Sequence, residues 1–150
     1  MKTAMRRTFA ALMLAVMFAT FTSTAHADDC KSAVDKICKA FNGMTAQVNR
    51  VTSIEGFDTL DFDAANADLY SISDSCANYH LTSDDKAKLR KSFNGFCNAM
   101  VDKLYSFVGS MVSRDVVEAQ IMPMNEAFNN VLDNSDTLME LVDGLNKVFQ

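Results

Sequence analysis

Apolar side chains recur along most of this chain at alternating steps of four and three, the spacing that places them on one face of an α-helix. The first stripe runs Cys30, Val34, Ile37, Phe41, Met44, Val48 and Val51. Gly56 and the acidic stretch EGFDTLDFD interrupt it, and it resumes as Phe62, Ala65, Leu69, Ile72, Cys76 and Tyr79. That resumption predicts a second helix after a short loop. Thr82 then offers an N-cap with Asp85 three residues on, the spacing of a capping box, so a third helix starts there. Its core face reads Leu89, Phe93, Phe96, Met100, Leu104, Phe107 and Met111, flanked by Cys97, Val101 and Val108. Gly109 and Ser110 weaken this helix, and Ser113 can cap a new one. The last stripe, Val117, Ile121, Met124, Phe128, Val131, Leu138, Val142, Leu145 and Phe149, keeps one register. Pro123 must kink or interrupt it, because proline has no N–H to offer Ala119. The stretch LDNSD (132–136) is a second break point. No β-branched run, strict alternation or glycine hairpin turn marks a strand. The expected fold is therefore all-α: a disulfide-stapled antiparallel bundle of four or five helices, compatible with two αα-hairpins plus a C-terminal helix.

Ahead of the first stripe, Lys2, Arg6 and Arg7 precede an apolar run from Ala10 to Phe21 that closes on Ala25, His26 and Ala27. This is the pattern of a cleaved secretion signal over residues 1–27. Its apolar run is about half of what a membrane span needs. Residues 28–150 then form one helical-bundle domain, long enough to bury a real core. The expected protein is exported, periplasmic or secreted, with no integral membrane segment in the mature chain. Removing the three cations of the signal leaves 11 basic against 19 acidic side chains, a net charge of −8. Such a surface repels phosphate backbones and argues against nucleic acid as a partner.

Export also gives the cysteines a meaning. Cys30, Cys38, Cys76 and Cys97 all lie in the mature part, and an even number in an exported chain points to two disulfides. Eight residues of helix separate Cys30 from Cys38 by about 12 Å, beyond the reach of an S–S bond, so each must find Cys76 or Cys97. An antiparallel hairpin about residue 57 sets Cys38 level with Cys76. Its complement, Cys30 with Cys97, fits straight helices badly and leaves the pairing open.

Chemistry-bearing patterns are sparse. A redox centre wants CxxC at a helix start and covalent haem wants CxxCH; neither occurs. Zinc has one mature histidine, His80, and no paired cysteine spacing. The loop carboxylates Asp58, Asp61, Asp63, Asp84, Asp85, Asp133 and Asp136 lack calcium-loop spacing and read as helix-start caps. Six mature methionines, Met111, Met122 and Met124 among them, read as core filling. No catalytic residue, metal site or cofactor is expected.

One repeat remains. KAFNGM (39–44) and KSFNGF (91–96) stand 52 positions apart, and the core register carries over: Ile37, Phe41, Met44 and Val48 fall on Leu89, Phe93, Phe96 and Met100. Gly43 and Gly95 lie about 200° round the helix from their phenylalanines, so they face away from the stripe. Lys36, Lys39, Ala40 and Gly43, and likewise Lys88, Lys91, Ser92 and Gly95, would form two flat, cation-edged strips. These are candidate docking surfaces, for a protein partner or for self-association.

The stretches NRVTSIEGFDTLDFD (49–63) and LTSDDKAKLRKSF (81–93) resemble small exported helical proteins of uncharacterised function of the Bacteroidota type. The resemblance implies an all-helical envelope or secreted protein and carries no activity, substrate or catalytic residue with it. The resulting expectation is a non-enzymatic binding module, an adaptor or chaperone-like protein. The alternatives are a carrier of a small apolar ligand among Phe41, Phe93, Phe96, Met100 and Phe128, or a small enzyme using loop carboxylates.

Overall fold

The computed structural model describes residues 30–62, 65 and 67–149. The expected secretion signal and Asp63 lie outside the described residues. Among the described residues four α-helices carry the fold: α1 (Cys30–Arg50), α2 (Ser83–Val108), α3 (Arg114–Asp133) and α4 (Leu138–Phe149). Short 3₁₀ turns, Ile54–Thr59, Ala67–Ser71 and Asp74–Cys76, fill most of the link between α1 and α2.

That link departs from the expected second helix. Its apolar periodicity correctly marks what is buried, since Phe62, Leu69, Ile72 and Cys76 are all in the core. Its backbone, however, is held by short local bonds. The Ser75 amide donates to the Ser73 hydroxyl, and the Ser73 and Ser75 hydroxyls lie 2.9 Å apart. Serine and aspartate compete with the helix for backbone groups, and here they win.

The link returns the chain from the end of α1 to its start, where Cys76 meets Cys30, so α1 and α2 run parallel. Asp35 meets Lys88 at 3.8 Å, the Phe41 and Phe93 rings lie 5.2 Å apart, and Lys103 donates to the Asn49 carbonyl at 2.9 Å. Partners ascend together along both helices. The later neighbours are antiparallel as expected: Arg90 reaches Asn129 and Asp133, Asn125 donates to Asn94, and Arg114 meets Asp102.

The core centres on Phe41, Phe93 and Phe128. Phe41 sits edge-on to the other two, which stack at 4.1 Å with 20° between their planes. Phe62 against Phe96, and Phe57 against Phe107, pin the crossover to α2.

Thr82 caps α2 as expected. Its hydroxyl accepts from the Asp85 amide and the Asp85 carboxylate accepts from the Thr82 amide, each at 3.0 Å. One expectation fails at the far end: α2 stops at Val108, and Met111 is 75% exposed instead of core. Pro123 lies inside α3, and of the expected kink or interruption the interruption does not occur. Ala119, the residue left without a bond, is exposed, so water can satisfy its carbonyl.

Candidate functional site

The four cysteines do not form two bridges. Cys30 pairs with Cys76, and Cys38 and Cys97 are free. Parallel packing is the reason: α1 brings Cys38 to the α2 seam, where it bonds to the Ser92 side chain, while the crossover ends beside the start of α1. Burial pushes the Cys38 thiol up; Asp35 adds to this, and Ser92 and Lys88 offset part of it. Burial alone pushes Cys97 up to about 12. Both sulfurs are protonated thiols near neutral pH, the opposite of what thiol chemistry needs.

The paired carboxylates carry structural tasks. Asp85 is buried, which raises its pKa, yet bonds from Thr82 and the Tyr79 hydroxyl, with Lys88 nearby, hold it below the usual carboxylate range. Asp84 meets Lys88, and Asp133 meets Arg90. Glu140 accepts from the Asp136 and Thr137 amides at the start of α4, which lowers its pKa. Among the described residues no group of three His, Cys, Asp or Glu is placed to hold a metal. His80 is exposed, and its backbone bridges to Thr137, clasping the link before α2 to the start of α4. Met122 and Met124 pack against the core.

The two candidate strips meet different fates. On α1, Ala40 is buried and Lys36 donates to the Ser71 hydroxyl at 2.9 Å. A Cβ added at Gly43 would lie 3.0 Å from the Ala65 Cβ, so another backbone does approach this glycine: the chain's own crossover. Lys39 lies on the exposed side. On α2 the strip divides. Lys88 and Ser92 turn to α1, toward Asp35 and Cys38. Lys91 and Gly95 face outward, and a Cβ at Gly95 would meet nothing within 4 Å. Of the two glycines, Gly95 is the one left open.

Space is distributed unevenly. The apolar gap lined by Ile37, Phe41, Leu69, Phe128 and Leu141 measures about 20 Å³. Outside the core, an open groove of about 410 Å³ follows the end of α1, lined by Gln47, Arg50, Val51, Thr52, Gly56, Thr59, Leu60 and Asp61. Another, of about 330 Å³, lies between α3 and α4, with Val131, Gly144 and Val148 in its wall. By sequence the acidic turn after α1 is a break in the stripe that carries the loop carboxylates Asp58 and Asp61, with no groove expected. Its one available signal was Gly56 beside a helix-ending Arg50. No described helix is long and apolar enough to cross a membrane.

No family model, no curated protein and no solved structure matches this chain.

Proposed function

We propose that this chain is a non-enzymatic binding module working outside the cytoplasm, an adaptor or chaperone-like protein of the cell envelope or secreted fraction. One observation carries the reading: the central apolar gap is about 20 Å³, whereas the outer grooves reach about 410 and 330 Å³. A pocket for a small ligand typically needs about 300 Å³ or more. A gap an order of magnitude smaller speaks against the apolar carrier and moves binding to the surface. The raised thiols and the structural tasks of Asp84, Asp85 and Asp133 likewise favour binding over catalysis.

Placement outside the cytoplasm draws on the Cys30–Cys76 bridge, which an oxidising compartment would preserve. The basic and apolar N-terminal pattern and the likeness to exported helical proteins point the same way. Affinity purification from the native host with crosslinking tests the function. The expected result is a specific protein crosslinked through surface residues such as Lys91. Recovery of no specific protein, together with an apolar molecule retained in native mass spectrometry, would overturn the proposal in favour of a carrier.

A further inference from the structure

The groove at the end of α1 sets a basic and an acidic side chain, Arg50 and Asp61, around an apolar floor. Its frame is a folded turn. The Gly56 amide donates to the Ser53 carbonyl, the Thr59 hydroxyl donates to the Gly56 carbonyl at 2.8 Å, and buried Phe57 fixes the turn against Phe107. The floor is Val51, 7% exposed, and a Cβ at Gly56 would come within 2.9 Å of its Cγ1. A glycine at that point keeps the floor open.

Arg50 stands at the edge of this groove. A basic residue at a helix end ordinarily serves the terminal carbonyls. Here Lys103 already donates to the Asn49 carbonyl, and the Arg50 side chain makes no hydrogen bond or ion pair with any described residue. Its guanidinium is a planar fork matched to a carboxylate. Asp61, already engaged elsewhere, lines the same groove, and Glu55 and Asp58 lie on the same turn. A guanidinium and a carboxylate on one groove suit a ligand that carries both charges.

From this we infer that the groove binds a small zwitterion of amino-acid or short-peptide type, its carboxylate on Arg50 and its ammonium toward Asp61. A preformed groove of about 410 Å³ has room for such a ligand. The inference rests on the reading of the chain as a binding module and assigns that module a site.

An amide NMR titration of the full exported chain tests it, with free alanine, tri-alanine, tri-alanine amide and N-acetyl-tri-alanine as probes. Alanine or tri-alanine should shift Thr52, Gly56 and Thr59 saturably. Both end-blocked peptides should bind about tenfold more weakly, as should Arg50→Gln and Asp61→Asn, the loss expected from one charge-assisted bond. Equal binding of alanine and tri-alanine would identify a free amino acid as the ligand; tighter tri-alanine would identify a peptide. No saturable shift up to about 10 mM, unchanged affinity in both variants, or shifts confined to the α3–α4 groove would overturn the site. A crosslinked protein partner recovered despite such a failure would leave the binding-module reading standing.

Discussion

KAFNGM on α1 and KSFNGF on α2 are near copies that the fold treats differently. Their phenylalanines do the same work: Phe41 and Phe93 are both 1% exposed, in ring contact with each other and with Phe128. Their glycines do not. Gly43 lies under Ala65, while Gly95 meets nothing within 4 Å. Local sequence sets which way a residue points on its helix. What stands opposite depends on the path of the chain, and the crossover covers the glycine of α1 but not that of α2.

The shared half of this comparison predicts the largest effects. Phe41→Ala and Phe93→Ala should each cost about 3–5 kcal/mol in urea unfolding, by emptying a buried aromatic site. Costs differing by more than about 2 kcal/mol would show that the two helices do not share the core equally. Removing the bridge with Cys30→Ser and Cys76→Ser should cost about 2–4 kcal/mol. Hydrogen exchange should then rise first in the crossover and in α1 around Ala40 and Gly43, with the amides around Gly95 protected as before. Uniform loosening of both regions would refute the crossover as the specific cover of α1.

The glycines separate the copies by sign. Gly43→Leu should destabilise by about 1–3 kcal/mol, since Ala65 leaves it no room. Gly95→Leu should be neutral or stabilising by up to about 1 kcal/mol, because helix propensity improves and nothing is displaced. That makes Gly95→Leu a clean probe of partner capture, and equal thermal shifts for the two variants would contradict the packing described. The smallest effect belongs to the cap shared by the link and α2. Asp85→Asn should cost about 1 kcal/mol at neutral pH. Asp85 has its pKa lowered in the fold, so its stabilisation is complete above the unfolded value of 3.8 and is lost as pH falls through the lower folded value. An acid titration of stability in which wild type and Asp85→Asn run parallel through that window would rule out this contribution.

Much of this could be read directly from the residues. Apart from Met111, the stripes from Val34 to Leu145 name residues that are buried or half-buried, even across the crossover, where 3₁₀ turns hold most of the described residues. Burial follows from apolar periodicity, because any folded path must remove those side chains from water. The Thr82–Asp85 cap was equally legible, since both groups sit within one turn and need no distant partner. The candidate site was legible only in fragments. Arg50 and Gly56 are visible as a helix-ending cation and a break, but a groove between them requires the turn at 54–59 to fold back on Val51 and lock through Phe57 and Phe107.

The sequence by itself determined an all-helical chain, its core face and the start of α2, all of which depend on interactions within a few residues. Only the tertiary structure decided that Cys30 and not Cys38 takes Cys76, and that Gly43 is covered while Gly95 is open. Those outcomes hang on one event, the serine- and aspartate-rich link becoming a 3₁₀ crossover instead of a helix. Local propensity there is nearly balanced, and it was the burial of Phe57, Phe62, Leu69 and Ile72 against distant helices that set the path.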